Sequence, residues 1–357
     1  MKHLLVDISA HGYGHIAQTA PVLNLVAQRL PGLRVTVRSH APTEYLRKRI
    51  LFPFEHRHSS LDFGMTMLDA VRVDVPQSLA VYREYHIAWR QKVDAAAETM
   101  RALQPDLLLA NVPYLSLAAA RVAGIPSVAM CCLNWADIYR HYAPDDDEAA
   151  GIHAQMLEAY DCAEVFLKLN PAMPMSDLRN TRELACVAQT GEPNLELLRV
   201  RSGASAQDRL VLVAMGGIDY RLPMESWPHI AGVRWLVPAA WGIRRDDVTS
   251  FESLDMDFRD VLASCDAILT KPGYGTFAEA ACAGIPVLYA PRGDWPEAPY
   301  LVEWLQQYGV AIEIDSDRLA TGELSETLAA LWAKPRPARP ENIGAAEVAE
   351  TLCKMLA

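Results

Sequence analysis

Two histidines four residues apart, in 11-HGYGHIAQ-18, are the first residues whose type and spacing could do chemistry. His11 and His15 flank a glycine turn that leads into a helix. The positive end of that helix is expected to lower their pKa and favour the neutral base, an arrangement suited to proton abstraction. The stretch 270-TKPGYGTFAEA-280 is built differently. Gly273, Tyr274 and Gly275 form a turn between an apolar run and a helix, where free backbone N–H groups suit an anion. The Thr276 hydroxyl adds a donor and Lys271 a counter-charge, so a phosphate or diphosphate fits. Glu279 lies one helical turn beyond Thr276 on the same face, and a carboxylate there can accept from the vicinal hydroxyls of a ribose. A third turn, 214-AMGGIDY-220, offers Gly216 and Gly217 to the same phosphate or merely reverses the chain. Each reading has a plainer alternative: the histidines cap or pack against the helix, and Glu279 is a first-turn acid that complements the dipole.

The elements that must hold these turns are legible as an α/β pattern. Short runs rich in Val, Ile and Leu alternate with helical periods, as in parallel sheets covered on both faces. Strands are expected near 3–9, 34–39, 106–110, 126–130 and 164–169, and again at 210–215, 233–238, 266–270 and 286–290. Helices are expected at 15–30 and, as one long element, near 78–103. The segment 190–208 loses its apolar period and reads as a connection that could act as a hinge. A proline-rich lead-in at 335–340 precedes a final helix with apolar positions at Ile343, Val348, Leu352 and Met355. At roughly 150 residues per domain, 357 residues suggest two domains.

Composition removes several classes. Asp and Glu number 44 against 33 Lys and Arg, which argues against a nucleic-acid partner. Seven cysteines, odd in number and without a C-x-x-C, read as reduced thiols. The apolar region 107–130 is broken by Asn111, Pro113, Arg121, Gly124 and Pro126, so no membrane-spanning segment is expected and a cytoplasmic location is. Both glycine turns fit G-x-G-x-x-A, yet the strand after the first ends 37-VRSH-40, with Arg38 where NAD wants a carboxylate. NAD is disfavoured and NADP left open. The acidic groups at 145–147 and at 255 and 257 read as helix caps, and the alternation 56-HRH-58 lacks a third ligand, so no metal is expected. P-loop, nucleophile-elbow and H-E-x-x-H motifs do not occur.

Two Rossmann-like halves, a histidine-bearing first turn and a diphosphate turn followed by glutamate together resemble the GT-B glycosyltransferases. The segment 270–292 is similar to the nucleotide-sugar segment of the lipid-II-forming GlcNAc transferase and of UDP-glycosyltransferases. A fuller resemblance, over nearly the whole chain, is to the N-terminal GT-B-like region of plant L-arabinokinases, carried by HGYGH, LNWADIY at 133–139, TKPGYGTFAEA, PRGDWPEAPYL at 291–301 and ENIGAAEVAETL at 341–352. The sugar-kinase part of those proteins has no counterpart here. The resemblance implies two domains with a cleft between them. An acceptor-side domain would cover 1–195 and a nucleotide-sugar domain 205–335, and a helix at 341–357 would pack back on the first. It implies His15, or His11 in its stead, as general base. Gly273, Gly275 and Thr276 would hold the diphosphate, Glu279 the ribose, and Asp294 and Glu297 the donor sugar. Asn134, Trp135 and Asp137 are candidates to meet the acceptor. Val287 stands where retaining relatives place a second glutamate, which implies inversion. The function implied is transfer from a UDP-linked sugar to a small or peptide-like acceptor, with no cofactor. A nucleotide-sugar hydrolase or epimerase, and a non-catalytic nucleotide-sugar binder, are the alternatives.

Overall fold

The computed structural model describes residues 2–217 and 220–357, so Ile218 and Asp219 of the third turn lie outside the described residues. The chain divides into two compact units. Unit 1 comprises 1–68, 73–187 and 342–357, and unit 2 comprises 69–72 and 188–341.

Unit 1 is built on β1 (His3–Ile8), β2 (Arg34–Ser39), β3 (Glu55–His58), β4 (Leu107–Asn111), β5 (Ser127–Cys131), β6 (Val165–Leu169) and β7 (Thr181–Leu184). All are parallel, in the order β3-β2-β1-β4-β5-β6-β7. Unit 2 carries β8 (Arg209–Val213), β9 (Val233–Val237), β10 (Val248–Ser250), β11 (Ala267–Thr270), β12 (Val287–Tyr289) and β13 (Ala311–Glu313), also parallel, in the order β10-β9-β8-β11-β12-β13. In both sheets the order reverses beside the first strand, between β1 and β4 and between β8 and β11. That reversal opens a crevice at the carboxyl ends of the strands, where ligands bind in open α/β sheets.

The central strands are apolar because both faces are covered. Leu4, Leu5, Val6, Leu107, Leu108, Leu109, Val211, Leu212, Ile268 and Leu269 are fully buried. Truncating any of these leucines to Ala would cost about 2–5 kcal/mol. The expected strands are present within two residues at each end. The expected helix at 78–103 is two helices, Val75–His86 and Trp89–Leu103. Ile87 is extended and Ala88 is left-handed at φ 54°, while His86 and Trp89 stack across the break with centroids 5.0 Å apart. The expected connection at 190–208 contains a helix, Leu195–Ser202, started by the Asn194 side chain, which accepts from Leu197 N–H, and closed by left-handed Gly203. The segment is fastened within unit 2, with Glu192 N–H donating to Asp260 and Asn194 N–H to Ser264.

The helix Gly344–Leu356 packs on the helix Gly14–Arg29. Gly344 N–H donates to Cys186 O at 3.1 Å, and a Cβ at Gly344 would lie 2.2 Å from Ala185 O, so only glycine permits this approach. Glu347 accepts from Ala185 N–H at 2.9 Å and completes the seat. No helix among the described residues is long and apolar enough to cross a membrane.

Candidate functional site

Both glycine turns flanking the strand reversals carry the candidate residues, and each unit holds its own constellation.

In unit 1 the turn after β1 places His11 and His15 at the start of the helix Gly14–Arg29, which has no side-chain cap and no acidic residue in its first turn. His15 is buried, and its Nδ1 lies 2.8 Å from Asn111 Oδ1 at the end of β4. The orientation of that carboxamide is fixed, because Asn111 Nδ2 donates to Gln18 Oε1 at 3.0 Å and Thr19 Oγ1 at 3.1 Å. Asn111 Oδ1 can only accept, so His15 Nδ1 carries hydrogen and the neutral ring keeps its lone pair on Nε2. His11 has the opposite tautomer in its neutral form, since Met65 N–H donates to its Nδ1 at 3.5 Å.

Trp135 packs against both imidazoles. Its ring meets His11 edge-on at 5.2 Å and lies 5.8 Å from His15. Its indole N–H donates to Asp62 Oδ2 at 2.8 Å, and Asp62 Oδ1 in turn accepts from Ala10 N–H and the Ser60 hydroxyl, both at 3.0 Å. A carboxylate with three donors thereby ties the first turn to the indole. Gly64 closes the other side. At φ +68° it lies where a Cβ would sit 2.6 Å from His11 Cβ and 2.8 Å from Trp135 Cη2.

The helix terminus was expected to lower the pKa of His15, and the structure reverses that expectation. Burial does push the imidazole toward neutrality, but Cys131, at the end of β5 with its sulfur 3.7 Å from Nδ1, opposes it when ionised and raises His15 to about 9. Cys131 moves the other way, to about 6: burial raises it, and the Cys132 hydrogen bond together with the His15 charge outweighs burial. The resting proton therefore sits on the imidazole.

Asn134 and Trp135 are fully buried. Asn134 caps its helix by accepting from Asp137 N–H at 2.8 Å, and Asp137 converges with His153 and Asp177 instead of with the two histidines. Arg38 forks onto Asp7 with both groups buried, so the guanidinium that kept NADP open is already committed inside the sheet. His56 of the H-x-H pair is likewise engaged, by Thr43 and by Ser39 O.

In unit 2 the structure brings Lys271, Gly216 and Gly273 together. Gly216 follows β8 at φ +87°, and a Cβ there would meet Lys271 Nζ at 3.7 Å. Gly273 begins the helix Tyr274–Ala283, whose first turn receives no side-chain cap. Lys271 directly follows β11, between the two turns, and among the described residues its ammonium makes no hydrogen bond or ion pair. Burial lowers its pKa to about 7, with the Arg292 charge adding and the Glu297 charge opposing. Arg292, beyond β12, lies 4.1 Å over the Trp295 ring, and Trp295 donates to Glu297 Oε2 at 2.9 Å. Thr276 is partly exposed and Asp294 exposed, while Glu279 is buried within the helix. The two turns that share a G-x-G-x-x-A match are not topological equivalents: 11–18 follows the first strand of its sheet, whereas 270–280 follows the fourth strand of the other. The counterpart of the first is the Gly216 turn.

Asn111, Cys131, Asp62, Gly64 and Arg292 are the site residues that sequence reasoning missed. The first four lie between 47 and 120 residues from His11 or its neighbours in no recognisable motif. Arg292 lies inside the quoted 291–301 segment, directly after an expected strand, and that position was its signal.

No protein-family model matches the chain. It is 27% identical over 337 residues to L-arabinokinase from Arabidopsis thaliana, an alignment covering 90% of this chain and 31% of that protein. The chain thus spans about a third of the length of the curated relative it matches. Among solved structures it is similar to the glycosyltransferase VinC in complex with dTDP, with a TM-score of 0.56 and 19% identity, covering 99% of this chain and 95% of that one. It is also similar to UGT2 of Phytolacca americana complexed with UDP-2-fluoro-glucose and pterostilbene, with a TM-score of 0.59 and 14% identity, covering 100% and 94%. The fold is the two-unit α/β architecture of the GT-B glycosyltransferases.

Proposed function

We propose that the protein is a glycosyltransferase that uses a nucleotide-linked sugar. The observation that carries this reading is the uncapped start of the helix Tyr274–Ala283 with Lys271 set between the Gly216 and Gly273 turns at the carboxyl edge of the second sheet. Free N–H groups, a helix dipole and a cation converge there on one position, an arrangement that suits a diphosphate. Arg292 and the Trp295–Glu297 pair border the same lysine and suit the donor sugar, with Asp294 beside them. Glu279 takes the ribose hydroxyls. UDP is our choice of nucleotide, and dTDP, bound by VinC, is the one to test against it.

In unit 1, His15 Nε2 takes the acceptor hydroxyl or amine proton once the ring is neutral, a contribution of roughly 10² to 10⁴ in rate. Asn111 holds the tautomer. As the acceptor bonds to the anomeric carbon, the bond from that carbon to the diphosphate oxygen breaks. The electron pair leaves on the diphosphate, where the helix terminus and Lys271 stabilise it without a metal. Attack opposite the leaving group inverts the anomeric centre, and the acceptor is a small molecule or peptide-like group.

Thermal shift with UDP, dTDP, GDP and their sugars tests the donor half. A nucleotide at a hundred times its Kd stabilises by about 2.7 kcal/mol. We expect UDP to stabilise the wild type and Lys271→Met and Glu279→Ala to lose the shift, while His15→Gln keeps binding and loses turnover. Absence of stabilisation by every nucleoside diphosphate would sink the reading.

A further inference from the structure

Outside both constellations, one cluster in unit 1 has the composition of a metal site. Asp137 on the helix Trp135–Tyr142, His153 on the helix Asp147–Tyr160 and Asp177 in the 170–180 segment each present a donor atom, all within 4.8 Å of one another. We propose that Asp137, His153 and Asp177 bind a first-row divalent transition ion such as Zn²⁺, as a clamp joining three separate stretches of unit 1.

Several observations point to a ligand and not merely to neighbouring acids. His153 Nε2 is shut off from solvent and makes no hydrogen bond among the described residues. The nearby cations have other partners, since Lys168 Nζ donates to Pro174 O at 2.8 Å and to Glu183 at 3.0 Å, and Arg140 Nη2 donates to Asp145 Oδ1 at 3.2 Å. Two carboxylates and one imidazole neutralise a divalent ion and favour a borderline metal over Mg²⁺ or Ca²⁺, which seek oxygen alone. Tetrahedral zinc bonds of roughly 2.0–2.2 Å place donors about 3.3–3.6 Å apart, so donors within 4.8 Å of one another draw together by up to about 1.5 Å on binding, with solvent completing four-coordination.

A second cluster shows what a non-site looks like. His229, Asp246 and Asp247 also converge, but His229 and Asp246 are exposed and Asp247 is held by Nε and Nη2 of Arg245, at 2.9 and 2.6 Å. That carboxylate has its cation.

The clamp sits two residues from Trp135, whose indole packs on His11 and His15, so a bound ion would stiffen the support of those rings. It stands independently of the donor reading above and needs no sugar nucleotide to test.

The experiment uses the full chain, stripped with EDTA, reduced with a phosphine and titrated with ZnCl₂, CoCl₂, MnCl₂ or MgCl₂. Zn²⁺ and Co²⁺ are expected to raise the Tm by several degrees and Mg²⁺ to leave it unchanged. The Co²⁺ form should show visible d–d bands without a thiolate charge-transfer band. Exposed Asp177→Asn, which removes one ligand at little risk to folding, should weaken Co²⁺ binding at least tenfold, and His153→Ala should abolish it. His229→Ala should behave as wild type. An equal response to Mg²⁺, a thiolate band, no response to any ion, or undiminished binding in Asp177→Asn and His153→Ala would overturn the assignment.

Discussion

Removing the Cys131 sulfur should return the His15 proton to solvent at neutral pH. His15 stands at about 9 because an ionised Cys131 lies 3.7 Å from its Nδ1, and burial works in the opposite sense. In Cys131→Ala the anion is gone and burial becomes the dominant influence, so the imidazole should titrate at or below its ordinary value of about 6.5. At pH 7 a group with pKa 9 is about 1% neutral and one with pKa 6.5 about three-quarters neutral, so the base form should increase by roughly 75-fold. The truncation should leave a small cavity at a cost near 1 kcal/mol, well within what a domain tolerates. Long-range ¹H–¹⁵N spectra of protein labelled at histidine, assigned with His15→Gln, read the titration and the tautomer directly and require no acceptor. The stability of the pair has its own pH window. His15, raised in the folded state, contributes stability that is complete below about 6.5 and lost as pH rises through about 9. Cys131, lowered, contributes stability that is complete above about 9 and lost as pH falls through about 6. Wild type should therefore exceed the alanine variant most between pH 6 and 9. A His15 resonance that titrates at the same pH in both proteins would refute the coupling, and a wild-type value below 6.5 would refute the resting proton assignment.

Two further outcomes follow from the geometry. Lys271, at about 7, loses its charge as pH rises, so UDP affinity measured calorimetrically should fall between pH 6 and 8 and become nearly flat in Lys271→Met; a wild-type affinity independent of pH would remove the lysine from the anion site. Gly64→Ala should destabilise unit 1 by about 2–5 kcal/mol, the sum of roughly 1–2 for the left-handed backbone and about 1–3 for the overpacked Cβ; urea unfolding that shifts by less than about 1 kcal/mol would contradict the contact with His11 and Trp135.

How far the sequence could be read depended on where each residue sits. Central strands such as 107-LLLAN-111 announce themselves because both faces are buried, whereas Glu55–His58, Thr181–Leu184, Val248–Ser250 and Ala311–Glu313 went unnoticed. These four are the edges of the two sheets, short and largely polar, as edges must be to avoid pairing with another chain. The break at Ile87–Ala88 contains neither glycine nor proline, so its left-handed residue left no mark in composition. Lys271 and the Gly273 turn were legible as a local motif. Asn111, Cys131 and Asp62 were not, because Asn111 and Cys131 acquire their roles only when β1, β4 and β5 align their carboxyl ends around His15, and Asp62 only when the stretch after β3 reaches Ala10 and Trp135. The pKa of His15 was misjudged for the same reason: the helix terminus is visible in the sequence, and the thiol 116 residues away is not.

The seat of the helix Gly344–Leu356 also bears on how the chain is made. The sheet of unit 1 and the helix Gly14–Arg29 leave the ribosome before residues 188–341, but the helix that covers them emerges afterwards. Residues 188–341 are thus an insertion between two parts of unit 1, entered near Cys186 and left near Gly344, whose N–H donates to Cys186 O. During synthesis the apolar face of the Gly14–Arg29 helix waits uncovered while an entire second sheet assembles. A nascent chain that stalls within unit 2 therefore exposes that face to any other hydrophobic surface in reach.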